Sequence, residues 1–359
     1  MVFASPIFLG YFLPLVLGGY YLLPAAGPAR NRWLLGASYV FYGWWDPRLV
    51  PALFVLTLAT FGFARWLGRE DLPEGRRRLG LAVGVGLALA VLFVGKYLGF
   101  AFDNYDRLAA ALGWAPAPAT RWALPLGISF FTFHAISTLV DVHRRDAKPM
   151  ASLVDFACYL AFFPQLIAGP ILRFGAIAPA YAERRHSWAR FSSGLALFSL
   201  GLAKKVIIAN TLAPAADLAF AARELDAPTA WFGLVAYGLQ LYYDFSGYSD
   251  MATGLARLFG FEFPRNFNAP YLAESITDFW RRWHISLGGF LRDYLYIPLG
   301  GNRRSPMRTA LNLLLVMVLG GLWHGAAWTF VAWGLWHGTL LVAERWLGGR
   351  AWYEDLPRF

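Results

Sequence analysis

Residues 265–345 hold the side chains best suited to chemistry. Three of the chain's six histidines lie there: His284, His324 and His337. His324 sits in Gly320-Gly321-Leu322-Trp323-His324-Gly325, at the end of an apolar run. An ionisable group in such a run is costly unless it has a partner or a task. An imidazole kept uncharged by apolar surroundings can take the proton of a hydroxyl attacking an acyl group, and the flanking glycines let another backbone or a substrate come close. The competing reading is a polar residue capping a helix end on a neighbouring carbonyl.

Upstream lies Asp278-Phe279-Trp280-Arg281-Arg282-Trp283-His284. On one helix, Asp278 with Arg282 (i,i+4) and Arg281 with His284 (i,i+3) share adjoining faces. Two arginines, two tryptophans and a histidine at an interface could hold a phosphorylated or thioester-bearing cofactor; taken alone, they favour a basic and aromatic anchor in headgroups. Asp244, in Tyr242-Tyr243-Asp244-Phe245-Ser246-Gly247-Tyr248, needs a partner, and an arginine or histidine from the 280s is the expected one. His337 follows His324 by thirteen residues, about 140° apart on a continuous helix. That spacing opposes a shared metal site and suggests a packed, hydrogen-bonded histidine. His186, in Arg184-Arg185-His186, reads as a solvated loop residue. No P-loop, His-Glu-x-x-His, Gly-x-Ser-x-Gly or dinucleotide fingerprint occurs, so neither a metal nor a bound nucleotide is expected.

The elements that must position these groups belong to a membrane. The chain is 58% hydrophobic and 15% charged, against about 25% charged in ordinary globular chains. A spanning helix needs about 20 apolar residues. Candidate segments are 5–25, 33–45, 49–67, 79–101, 121–142, 151–172, 190–210, 228–247, 309–324 and 326–346. The expected fold is therefore an all-α, polytopic helical bundle with about nine or ten hydrophobic segments. It is read as a single domain over 1–359, with N-terminal spans in 1–120 and a catalytic core in 121–346. Residues 258–308, too polar to span and rich in aromatics, are expected as interfacial amphipathic helices.

The net charge of +10 reflects short basic loops in the positive-inside pattern; anionic lipids, and not nucleic acid, are the implied partners. Arg30 with Arg32, Arg65 to Arg78, and His143-Arg144-Arg145 fall in the cytosol, with an uncleaved first span and the N-terminus outside. Segment 151–172 breaks this alternation and contains Pro164, Gln165 and Gly169-Pro170, so it is expected to be re-entrant. The lone Cys158 excludes an internal disulfide.

Several stretches together resemble the membrane-bound O-acyltransferases, in the bacterial branch of alginate O-acetyltransferase membrane subunits and D-alanine exporters. They are PLGISFFTFHAISTLVDVHRR (125–145), FFPQLIAGPILRF (162–174), GLAKKVIIAN (201–210), YGLQLYYDFSGYSDMATGLARLFGFEFPRNFNAPY (237–271), SITDFWRRWHISLGGFLRDYLYIPLGGNRR (275–304) and GGLWHGAAWTFVAWGLWHG (320–338). The resemblance places the family's catalytic histidine on His324 and its second polar position on His284. It implies an outward funnel and a cytosolic entrance meeting near that histidine, with a cytosolic acyl thioester (acetyl-CoA or an acyl carrier protein) as donor substrate. The acyl group would pass to an extracytoplasmic hydroxyl, commonly through a separate extracytoplasmic transferase that decorates a polysaccharide. Relatives continue past the second WHG helix with further hydrophobic sequence, whereas this chain ends in AWYEDLPRF; a short form, or a pore completed by a partner, is expected.

The function expected is thus an integral O-acyltransferase of the bacterial cytoplasmic membrane, acting in alginate-like exopolysaccharide O-acetylation. His324 is its general base or a positioning donor, and His284 with Arg281 and Arg282 orients the thioester or its phosphates. Asp244 and Asn268 brace the amphipathic segment, and Trp283, Tyr294 and Trp323 complete the donor and substrate set. The alternatives are a transporter or scaffold without covalent chemistry, for which the broken 164–170 segment and Asp244 speak, and an inactive truncated paralogue.

Overall fold

A computed structural model describes residues 1–25, 27–117, 127–167 and 169–347. Residues 121–126 of the expected span 121–142 and the final AWYEDLPRF lie outside them. Among the described residues every regular element is helical, as the all-α reading requires. Four helices of the described residues are long and apolar enough to cross a membrane: Pro47–Leu67, Glu74–Leu112, Trp188–Ala221 and Pro306–His324. Phe8–Leu22 is apolar but shorter. The expected segments 33–45, 228–247 and 326–346 fall on helices Ala29–Gly43, Ala227–Leu258 and Trp328–Trp346. The chain forms two compact units, residues 1–84 with 133–265, and residues 85–132 with those from 266 on.

In the first unit, segment 151–172 is broken as Pro164 and Gly169-Pro170 predict. Helix Leu153–Ala161 stops, Phe162 leaves helical geometry, a single turn Phe163–Leu166 follows, and the next helix begins only at Phe174. The freed backbone donors must find acceptors, because buried N–H groups are otherwise costly. One face of helix Ile128–Arg144 supplies them. The Leu172 amide donates to His134 Nε2 (3.2 Å), that of Phe174 to Ser137 Oγ (2.8 Å) and that of Gly175 to Asp141 Oδ2 (3.0 Å). His134, Ser137 and Asp141 recur at helical spacing, so one stripe of side chains stabilises one irregular strap.

Also in this unit, Trp188–Ala203 and Ala227–Leu258 pack with glycine facing backbone. A Cβ on Gly201 would lie 2.5 Å from the Gly247 carbonyl, and one on Gly254 2.6 Å from that of Gly194. At that close approach two ion pairs cross the hairpin, Lys204–Asp250 (2.6 Å) and Lys205–Asp244 (2.5 Å). Lys204–Ala209 is a π-helical turn. The partner of Asp244 is therefore Lys205 and not a residue of the 280s. The sequence placed the carboxylate, but its partner comes from tertiary packing of a helix whose register the π turn shifts.

In the second unit, Pro306–His324 and Trp328–Trp346 form a tight hairpin over Gly321, Gly334 and Gly338. A Cβ on Gly334 would lie 2.8 Å from Val318 Cα, closer than any real Cβ contact. Small residues are what allow membrane helices to pack this closely. Glu344, near the end of the second helix, accepts from the Thr277 amide (2.9 Å) and hydroxyl (3.2 Å). This ties the hairpin to the short helix Ile276–Arg282, itself capped by Ser275 Oγ on the Asp278 amide (2.9 Å). The short helices Ile276–Arg282 and Ile285–Leu291, with the π turn Arg292–Tyr296, fill the predicted amphipathic region.

Gly334→Val should break the hairpin, at a cost of about 3 kcal/mol or more for a branched side chain forced into packed backbone. The detergent-purified protein should lose its single unfolding transition or elute as aggregate. Gly36→Ala, inside Ala29–Gly43 with nothing within 4 Å of the added methyl, should leave the midpoint unchanged or slightly raised.

Candidate active site

The second unit gathers the expected histidines around one tryptophan. His324 is the last residue of helix Pro306–His324. The chain then turns extended at Gly325 and restarts as a helix at Trp328. The last four carbonyls of a helix lack intrahelical partners, and in an apolar setting they need others. The Gly325 amide takes the Gly321 carbonyl (3.3 Å), the Tyr97 hydroxyl donates to Leu322 (2.8 Å), and Lys96 Nζ donates to Trp323. Lys96 also reaches Ser129 Oγ at 3.2 Å and lies 5.7 Å from the centre of the Trp323 ring. An ammonium at a helix C-terminus is also favoured by the macrodipole.

Lys96 was legible as the one cation of segment 79–101, yet sequence reasoning passed over it. It sits with Tyr97 in a π turn, Phe93–Tyr97, where wheel-based periodicity misplaces side chains.

Trp323 stands between the two histidines. Its ring centre is 4.8 Å from that of His324 and 5.8 Å from that of His284, edge-on to both. Trp323 and His284 are buried, whereas the His324 side chain is open. On its other side His324 meets Trp333 (5.3 Å), which packs on His337 (4.7 Å); Trp280 closes against both Trp333 (5.5 Å) and His337 (5.1 Å). His337 thus joins the aromatic row, but its Nδ1 is buried without a hydrogen-bond partner, contrary to the expected hydrogen-bonded histidine. The calculation of about 140° does not apply, because residues 325–327 interrupt the helix. Among the described residues, no three His, Cys, Asp or Glu side chains gather so as to hold a metal.

His284 is placed by backbone irregularity. Helix Ile276–Arg282 ends, Trp283 is extended, and His284 is left-handed (φ 45°) ahead of Ile285–Leu291. The expected Arg281–His284 pairing on one helix fails for this reason; left-handed geometry at a non-glycine residue is uncommon and concentrates at functional sites. The Asn266 side-chain oxygen accepts from the Ser286 amide (3.2 Å), the Ser286 hydroxyl (2.9 Å) and His284 Nδ1 (3.2 Å). A backbone N–H can only donate, so that Asn266 atom is oxygen, and His284 must carry its proton on Nδ1. Its Nε2 is then the basic nitrogen. Burial, with the charge of His324 second, holds the imidazole well below its ordinary range, so it stays neutral at physiological pH.

The remaining expected residues divide. Arg282 pairs with Asp278 at 2.7 Å, the i,i+4 contact read from sequence, and Arg281 is exposed. Trp283 is buried, stacked on Phe279 (5.7 Å) and edge-on to Phe267 (5.1 Å). Tyr294 packs on Phe290 at 4.6 Å. Asn268 is exposed and contributes its amide to the Arg282 carbonyl (2.9 Å); the side chain that organises the segment is Asn266, two residues earlier. Asp244 belongs to the other unit, with Lys205.

Residues 84–350 match the membrane-bound O-acyltransferase family. The chain belongs to that family. It is 48% identical to a probable alginate O-acetylase AlgI of Azotobacter vinelandii over 96% of this chain and 69% of that protein. To a peptidoglycan O-acetyltransferase of Helicobacter pylori it is 38% identical over 96% and 70%. A teichoic acid D-alanyltransferase of Streptococcus thermophilus is 28% identical over 62% and 57%. The chain is thus a membrane O-acyltransferase, and the transporter reading gives way.

Asn266→Ala would remove the acceptor shared by a backbone amide, a hydroxyl and an imidazole N–H, at about 1–3 kcal/mol for a buried donor left unsatisfied. The thermal midpoint of the purified protein should fall by several degrees. Asn266→Asp, which keeps the acceptor, should recover most of that loss; equal losses in the two variants would show that the acceptor is not what matters.

Proposed function

We propose that this acyltransferase moves an acetyl group from a cytosolic thioester to an extracytoplasmic hydroxyl of an exported or surface polysaccharide. The names of its relatives, alginate O-acetylase and peptidoglycan O-acetyltransferase, support the acetyl group and the glycan acceptor. The observation that carries the reading is the row His284, Trp323, His324, with the helix end beneath it held by Lys96 and Tyr97.

In this reading His324 takes the acceptor's proton as the hydroxyl oxygen attacks the thioester carbonyl carbon. The C–O bond forms, the C–S bond breaks, and the proton passes to the departing thiolate. The Lys96 ammonium puts fixed positive charge near the oxyanion that develops between these events. His284, its proton on Nδ1, turns a basic Nε2 into the row and orients the donor.

Exposed Arg281 and the Asp278-paired Arg282 meet the donor's phosphates, with Trp283, Tyr294 and Trp323 as walls and Asn268 bracing the segment. Asp244, through Lys205, braces its own hairpin. The donor is acetyl-CoA or an acyl carrier protein, and an extracytoplasmic transferase receives the acetyl group. The membrane is the bacterial cytoplasmic membrane with the N-terminus outside, which the run of basic loops supports.

The test is the O-acetyl content of glycan from cells expressing matched membrane levels of each variant. His324→Ala should lower transfer by about 10²–10⁴-fold, the span of general-base catalysis; transfer at the wild-type rate would refute the assigned role. Lys96→Met should also lose most transfer, by about 10²-fold, a typical loss for one missing electrostatic donor. If Lys96→Met transfers normally while His324→Ala does not, the lysine acts only on folding.

A further inference from the structure

In the first unit, two arginines, Arg30 and Arg184, gather around one tyrosine ring. Arg30 is only 7% exposed. Its Nε donates to the Leu23 carbonyl (3.2 Å), and its guanidinium lies 4.7 Å from the centre of the Tyr20 ring. Arg184 approaches the same ring at 5.7 Å and that of Phe261 at 4.7 Å. Its Nη2 donates to Asn31 Oδ1, and its Nη1 is buried with no hydrogen-bond partner among the described residues.

His186 is exposed, as expected of a solvated loop residue, and its ring also joins the cluster. The Tyr20 hydroxyl donates to the Phe259 carbonyl (2.8 Å) and so accepts from His186 Nε2–H (3.1 Å). Gly260, at φ +85°, makes room for the ring: a Cβ there would lie 2.7 Å from His186 Nδ1. Burial first, then the charges of Arg30, Arg184 and Arg190, hold this loop imidazole below its ordinary value.

The nearest carboxylate in the network, Asp155, binds Asn31 Nδ2 (2.5 Å) and stands one residue removed from Arg184. Neither arginine forms an ion pair among the described residues. Buried cations without counter-charge are costly, and stacking on tyrosine offsets only part of that cost. Forked guanidinium donors match phosphate oxygens two at a time. Beside them opens a depression of about 390 Å³ lined by Tyr21, His186, Ser187, Trp188 and Phe191, apolar enough to seat the ester portion of a ligand.

We propose that Arg30, Arg184 and His186 form a binding site for a phosphate ester. Its source is either an anionic phospholipid headgroup or a soluble phosphate compound, since both present the same oxygens. The site is independent of the acyl-transfer roles assigned to His324 and His284.

The test uses the full chain, purified in neutral detergent and stripped of lipid, and reads the thermal unfolding midpoint. The probes are phosphatidylglycerol, phosphatidylcholine and inorganic pyrophosphate. A ligand that binds only the folded state raises the midpoint with its concentration. Phosphatidylglycerol raising the wild-type midpoint by several degrees, with little effect of phosphatidylcholine and none on Arg184→Gln, supports the site with a lipid source. Pyrophosphate doing so in its place supports the site with a soluble source. No shift in wild type with either anion, or equal shifts in wild type and Arg184→Gln, overturns the proposal. Arg30→Gln is a second variant; where circular dichroism shows it misfolded, His186→Gln replaces it.

Discussion

A helix that ends inside apolar surroundings leaves carbonyls that no water can satisfy, and the site around His324 is built on the answer to that constraint. Three of the last four carbonyls of Pro306–His324 are taken by the Gly325 amide, Tyr97 and Lys96. Without those donors the helix would have to continue, and the turn that carries His324 would not exist. The glycines are the next requirement. A second helix starting after three intervening residues must fold back onto the first, for which Gly321, Gly334 and Gly338 leave room. The open imidazole is thus where it is because a helix stops there, and the helix stops there because a lysine on another element caps its end.

The same constraint governs the irregular strap after Leu166, with the polarity reversed. There the unmatched groups are N–H donors, and the answering side chains are acceptors on one helical face: His134, Ser137 and Asp141. The comparison separates the chain's histidines by physics. His134 is fully buried and used as an acceptor for backbone. His284 is buried with its tautomer fixed by Asn266. His324 is open, which is the state that its proposed role as a base requires.

Hydropathy and the punctuation at Pro164 and Gly169-Pro170 made the helices and the strap legible, because both depend on local chemistry. So was the Asp278–Arg282 pair, which needs only helical spacing. Legibility failed where regular periodicity failed. The π turns at Phe93–Tyr97 and Lys204–Ala209 each shift the register of the helix beyond them, and they carry Lys96 and the two lysines that meet Asp244 and Asp250. The left-handed backbone at His284 ended the helix on which Arg281 and His284 were paired. Residues 266–268 are not helical, so sequence had no means of choosing Asn266 over Asn268; three converging donors made that choice.

Cations within the apolar helices are stabilised in two ways. Lys204 and Lys205 meet carboxylates, so the close hairpin of the first unit carries them as near-neutral pairs that add little field at a distance. Lys96 meets a carbonyl and a hydroxyl, with no carboxylate partner among the described residues. Evenly paired charge suits a part of the chain that must only pack. An ammonium without a carboxylate costs more to bury, and in the proposed mechanism its field faces the negative charge that acyl transfer builds on a carbonyl oxygen. Among these three lysines the carboxylates mark the difference: Lys204 and Lys205, each with its own acid, hold helices together, whereas Lys96 meets only dipoles and, in the proposed mechanism, its field serves the substrate.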